Sequence, residues 1–186
     1  MGEGRVQALQ RGRDYRQRAY GASAQRLPSI AMQLASHELS DPVRLTSIDT
    51  HALQMWKEGW QPSLPTELRD WDWEGLHAGY VKEALRFEVA VWSGDELCGL
   101  AIGKPSSGRN FLRVDVMQGS PAMHPLKGLV RWFIVDIAVE YANCLEINEL
   151  RLMRPLEPLW QIYGDMGFDL AGRAQKPPYC SLRLDQ

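Results

Sequence analysis

The chain has few of the residues that build metal centres and disulfide frameworks. Cysteine occurs three times, at Cys98, Cys144 and Cys180, and histidine four times, at His37, His51, His77 and His124. There is no CxxC pair and the histidines are scattered, which argues against a tetrahedral zinc site, so no metal is expected. Three widely spaced thiols read as reduced, buried, small apolar residues of a cytoplasmic protein. Long apolar runs are missing too. None reaches the roughly 18 residues of a membrane span, so no membrane is expected as a partner. The Arg-rich start carries no apolar stretch behind it and is not a secretory signal. Net charge is slight, −2 over 186 residues, which argues against a protein built around nucleic acid. A composition of 45% hydrophobic and 24% charged residues excludes wholesale disorder, and the length suits one domain with an appendage.

What is present is unevenly placed. The first 26 residues hold six arginines against Glu3 and Asp14. With four glycines and few apolar anchors, they read as a solvated, flexible or partly helical arm, or as an arm for nucleic acid or an acidic partner. A short helix over 28–39 follows, with Ile30, Leu34 and Leu39 turned inward, and Asp41-Pro42 breaks it. Residues 1–42 are therefore expected as an N-terminal extension and 43–186 as the domain proper. Val43, Leu45 and Ser47 alternate with Arg44, Thr46 and Ile48, a first strand. Asp49 or Thr50 caps a helix through Trp56 and Trp60 that Pro62 and Pro65 end. Residues 71–85 carry a second helical stripe.

The runs 87–92 and 97–103 flank Ser93-Gly94-Asp95-Glu96 and read as a hairpin. Residues 111–117 alternate strictly, as a strand does. From Leu126 to Leu145 apolar residues recur at helical spacing, with Lys127, Arg131, Asp136 and Glu140 on the other face. Strands are expected at 147–153, 169–174 and 179–185, with a short helix at 159–168 stopped by Gly167. The fold class is α/β: a mixed, mostly antiparallel central sheet with helices on both faces. The strand, loop, helix and strand over 111–153 form a crossover whose strands are parallel neighbours.

The loop Gln118 to Lys127 leads from a strand to a helix start. There, unpaired amides and the helix dipole favour an anion, Lys127 adds a charge, and Gly119 and Gly128 permit close approach.

The element order, together with LWQIYGDMGFDL at 159–170, resembles the GCN5-related N-acetyltransferase (GNAT) family over residues 43–186. Tyr163, Gly167 and Phe168 carry the closing signature. The resemblance implies transfer of an acetyl or acyl group from acyl-coenzyme A to a primary amine of a small molecule or protein, with acetyl-coenzyme A as co-substrate. It also implies a phosphate loop, which falls on MHPLKG (123–128). Gly128 matches the last position of that loop, while Met123 and Leu126 depart from it. The implied coenzyme A contacts are Val116 and Met117 for the pantetheine arm, and His124, Leu126, Lys127, Gly128 and Leu129 for the phosphates. Tyr163 matches the residue that reprotonates the departing thiolate. Asp115 is the acidic candidate for a base. Trp56, Trp60, Asp72 and Glu74, with Glu67 and Asp70 interleaved, would border the acceptor and suit a cationic amine. A degenerate binding or regulatory member of the fold, an interaction protein using the basic arm, and a homodimer stay open.

Overall fold

The structure is a computed structural model and describes residues 2–35, 39, 41–60, 63 and 71–184. A six-stranded sheet runs in the order β1 (Val43–Thr46), β2 (Phe87–Ser93), β3 (Glu96–Pro105), β4 (Leu112–Gly119), β5 (Glu149–Met153) and β6 (Tyr179–Arg183). Every pairing is antiparallel except β4 with β5. The chain reaches β5 through α4 (Val130–Cys144), so the crossover legible at 111–153 is present with its strands parallel. Helices cover both faces. On one lie α1 (Gly2–Ala35), α4 and α5 (Trp160–Asp165), around Phe133, Ile137, Tyr141, Trp160 and the inward residues of β2 to β6. The other carries α2 (Thr50–Met55), its π-helical continuation Trp56–Trp60, and α3 (Trp73–Tyr80), packed on Ala90, Trp92, Leu100 and Ile102.

Local chemistry explains the element ends. The Asp49 carboxylate accepts the Ala52 N–H at 2.8 Å and caps α2. Gly167, at φ +88, closes α5, with the Phe168 N–H reaching back to the Tyr163 carbonyl at 3.0 Å.

The N-terminal segment corrects the expectation of a solvated arm. It is one 34-residue helix whose inward stripe is Gly12, Arg16, Ala19, Tyr20, Ser23, Leu27 and Ala31, a helical spacing filled mostly by small or polar residues. A Cβ on Gly12 would stand 1.8 Å from the Ala84 carbonyl oxygen, so glycine allows the backbones to meet. Arg16 is buried against Glu88, and Arg26 grips Asp136 and Glu140 of α4 at 3.0 and 2.9 Å. Two of the six arginines are thus spent inside the molecule. Leu34, expected inward, is exposed.

Three further expectations change. The stripe at 71–85 forms a helix only over Trp73–Tyr80, with turns after it. Residues 169–174 supply no strand: Ala171–Ala174 is a 3-10 turn and Asp169 makes a lone bridge to Ser181. The long helix starts at Val130, not Leu126. Pro62, Pro65, Glu67 and Asp70 lie outside the described residues. Among the described residues no helix is long and apolar enough to cross a membrane, and no cluster of three His, Cys, Asp or Glu could hold a metal.

Candidate active site

Strand β4 stays paired with β3 as far as Gly119, but with β5 only over Leu112–Val114. Beyond Val114 the two parallel strands part. The β3 register slips by one at the same place: Gly103 faces Val114 and Ile102 faces Val116, leaving Asp115 as the extra residue of a bulge. A bulge bends and twists its strand, which accounts for the parting.

Three cavities follow the split. The first, about 190 Å³, lies between β4 and β5, with Asp115, Met117, Gln118, Leu152 and Leu159 in its wall. The second, about 250 Å³, opens toward α4 and is lined by His124, Lys127, Gly128 and Arg131. It shares Met117, Gly119, Leu159 and Tyr163 with the first. The third, about 590 Å³, opens on the α3 face and shares Trp71, Asp115 and Arg154 with the first. The three cavities therefore adjoin across the split, with Tyr163 in the wall shared by the first and second and Asp115 in the wall shared by the first and third.

Asp115 receives the Tyr80 hydroxyl at 2.6 Å and the Arg113 guanidinium at 3.0 Å. Burial raises its carboxyl above the ordinary aspartate value, and these two partners oppose the rise without cancelling it. Tyr163 is buried, and burial pushes its hydroxyl up to about 12 although the charge of Arg131 pulls the other way. Gln118 accepts the Trp73 indole N–H through Oε1 at 2.6 Å, which fixes its amide. Its Nε2 is buried without a hydrogen-bond partner.

The MHPLKG stretch is used differently from the expectation. Leu126 and Leu129 are buried in the core. The Leu126 N–H goes to His124 Nδ1 at 3.2 Å, the Lys127 N–H to the His124 carbonyl, and the Leu129 N–H to the Leu126 carbonyl. Lys127 Nζ turns back onto the carbonyls of Ser120, Pro121 and Ala122 at 2.8 to 3.1 Å. His124 is buried, and burial, with the Lys127 charge, lowers its pKa. The Leu126, Lys127 and Leu129 amides and the Lys127 ammonium are thus used within the loop. Beside His124 and Lys127, the cavity is faced by Gly128, at φ +86 with open space where a Cβ would be, and by Arg131 on the first turn of α4. Arg131 read from the sequence only as polar-face filler. Its place one turn into a helix that follows a glycine was the available signal.

The acceptor-side residues divide. Trp56 and Trp60 are core residues, and the Trp60 indole donates to the Leu97 carbonyl at 3.2 Å. They do not border the cavities described. Glu74 is exposed and paired with Lys57 at 3.0 Å. Asp72 does line the α3-side cavity, together with Trp71.

No family model matches the sequence and no curated protein matches it. Solved structures do match in shape. The ribosomal-protein-S18-alanine N-acetyltransferase from Escherichia coli superposes with a TM-score of 0.55 at 13% identity, covering 77% of this chain and 95% of that one. An acetyltransferase of the GNAT family from Staphylococcus aureus Mu50 gives 0.55 at 9% identity over 77% and 99%. The PaiA N-acetyltransferase from Thermoplasma acidophilum, solved in complex with coenzyme A, gives 0.50 at 14% identity over 76% and 98%. With its parted parallel pair and its helices on both faces, the chain has the fold of the GCN5-related N-acetyltransferases.

Proposed function

We propose that this chain transfers an acyl group from acyl-coenzyme A to an amine. The observation that carries the reading is the parting of β4 from β5 beyond Val114, with adjoining cavities whose shared walls hold Asp115 and Tyr163.

The residues present fit the co-substrate. Beyond Val114 the β5-side edge of β4 has lost its partner strand, so its backbone groups can pair with the amides of an extended pantetheine arm. The orphaned Nε2 of Gln118 is a donor in want of a carbonyl. Leaving such a group buried and unpaired costs about 1–3 kcal/mol. Gly128 gives room for a pyrophosphate and Arg131 the charge, since no carboxylate among the described residues pairs with Arg131. Lys127 and the amides of Leu126 and Leu129 shape the loop instead.

Bound acyl-coenzyme A supplies a thioester, whose carbon takes the amine nitrogen and whose sulfur leaves. Asp115 takes the proton that the amine must lose, directly or through water, and its raised pKa makes it a better base than a free aspartate. Tyr163 keeps its proton at neutral pH and presents the hydroxyl to the departing sulfur. Full transfer from a phenol near 12 to a thiolate of reference pKa about 8.5 is uphill. Its contribution is therefore a hydrogen bond to the developing charge; solvent protonates the released thiolate, and Asp115 returns the proton it took from the amine to solvent.

Calorimetric titration with coenzyme A tests the reading. Saturable binding is expected, weakened tenfold or more by Gly128→Glu through bulk and repulsion at the phosphates. A folded wild-type chain that does not bind coenzyme A would overturn it.

A further inference from the structure

The α3-side cavity carries both signs of charge on fixed supports. Its helix wall is α3, where Gly75 and Gly79 stand one turn apart and Gly79 leaves the helix backbone open. Asp72 lies across this wall, with Oδ2 2.4 Å from where a Cβ on Gly75 would sit, and makes no capping bond of its own to α3. Asp115 closes the inner end, already answered by Arg113 and Tyr80. Arg154, the residue after β5, also lines the cavity. Its backbone is held at φ +50, its N–H bonds the Pro178 carbonyl at 2.8 Å, and Pro155 follows. The base of that side chain is therefore fixed in a conformation non-glycine residues rarely adopt. Arg154 is exposed, lines both the split and the α3-side cavity, and pairs with no carboxylate among the described residues. A cavity built only for a cationic amine would not place an unanswered guanidinium beside its acids.

We propose that the acceptor is a free amino acid, or a molecule of that kind, whose carboxylate is bound by Arg154 while its amine lies against Asp115. The assignment rests on the acyltransferase reading above and narrows it. The planar guanidinium suits a carboxylate, which it can hold through two parallel hydrogen bonds. Asp72 and Trp71 then border whatever side chain the acceptor carries. Of the four residues expected to receive a cationic amine, Trp56 and Trp60 are core and Glu74 is paired with Lys57, which leaves Asp72 at the cavity.

The test is steady-state acetyl transfer to the common L-amino acids, each beside its carboxamide, which keeps the amine and loses the negative charge. In the wild type, at least one amino acid is expected to exceed its amide in kcat/KM by tenfold or more. Arg154→Gln should raise KM for that amino acid on the order of 10–100-fold, leave the amide's constants and the coenzyme A affinity level, and be partly rescued in Arg154→Lys. Equal use of amino acids and amides by the wild type would overturn the proposal. So would a loss in Arg154→Gln that falls on both alike or appears in coenzyme A binding. Binding of coenzyme A with transfer only to peptide lysines would overturn it and leave the acyltransferase reading standing. Failure to bind coenzyme A would remove both.

Discussion

Glu88 and Asp115 are both carboxylates on strands of one sheet, and each touches an arginine. Glu88 sits near the start of β2, fully buried, with Arg86 at 2.9 Å, His77 at 3.4 Å and Arg16 of α1 at 3.5 Å. Burial alone would raise its carboxyl, but the nearby His77 and Arg86 side chains and the charge of Arg16 outweigh that, and its pKa lies below the ordinary value. Asp115 stands in a bulge with 16% of its side chain open to the cleft, and has one arginine and one tyrosine. There burial wins and the pKa rises. The residue type and the sheet are shared. What differs is how many cations answer the charge and whether the group can reach a solute. The first carboxylate is locked in its charged form and fastens α1 and α3 to the sheet. The second is less well answered and open, which is the condition for exchanging a proton.

The sharpest way to break this comparison is to remove Glu88. In Glu88→Leu the buried Arg16 loses its counter-charge, and a stranded buried ion costs about 3–5 kcal/mol. Urea denaturation should show that loss, and a change under 1 kcal/mol would mean that the cluster is solvated or rearranged. Asp115→Asn should behave in the opposite way. The amide keeps an acceptor for Tyr80 and discards a charge that burial disfavours, so stability should move by less than about 1 kcal/mol. The rate should fall about 10²-fold, the lower end for loss of a general base. The wild-type kcat/KM should rise with pH along a limb whose midpoint lies above the reference aspartate value of about 3.9. That limb should be missing in Asp115→Asn. An unchanged pH profile would leave Asp115 as a partner for Arg113 and nothing more.

The same contrast explains what could be read in the sequence. Periodicity and turn chemistry expose elements that bury apolar side chains. The hairpin around Gly94 and the stripe of α4 were therefore legible, as was the parallel crossover they imply. Helix α1 was not, because only Tyr20 and Leu27 of its buried stripe are large and apolar, the rest being Gly12, Arg16, Ala19, Ser23 and Ala31, residues suited to close approach or to pairing with Glu88. The bulge at Asp115 was invisible for another reason. FLRVDVM alternates without a break, and only the partner strand reveals that one residue is extra. Of the residues that line the cavities, Tyr163 could be singled out through the 159–170 resemblance and Asp115 as the acid on an alternating strand. Arg131 and Arg154 were missed because a charged residue on a helix face or in a loop has the look of ordinary surface until the cavity beside it is known.

His124 offers a third case, a buried titratable group with no counter-charge, and the smallest effect. Its Nδ1 accepts the Leu126 N–H at 3.2 Å, which requires a neutral ring with Nδ1 unprotonated. Burial, and then the nearby Lys127 ammonium, lower its pKa below the reference of about 6.5. As pH falls through that reference value, the unfolded chain binds a proton that the folded chain refuses. Stability therefore rises with pH between the folded and unfolded pKa values and declines on acidification from pH 7 toward 5. Carboxylates and the other histidines contribute to any such decline, so the informative quantity is the difference between two proteins. His124→Asn retains a side-chain acceptor near the Leu126 N–H and cannot titrate. Its Tm should fall less than that of the wild type between pH 7 and 5, with the two curves converging toward the acid end. Parallel curves over that range would mean that the ring is protonated as easily in the fold as outside it, and that the loop at the start of α4 does not depend on a neutral His124.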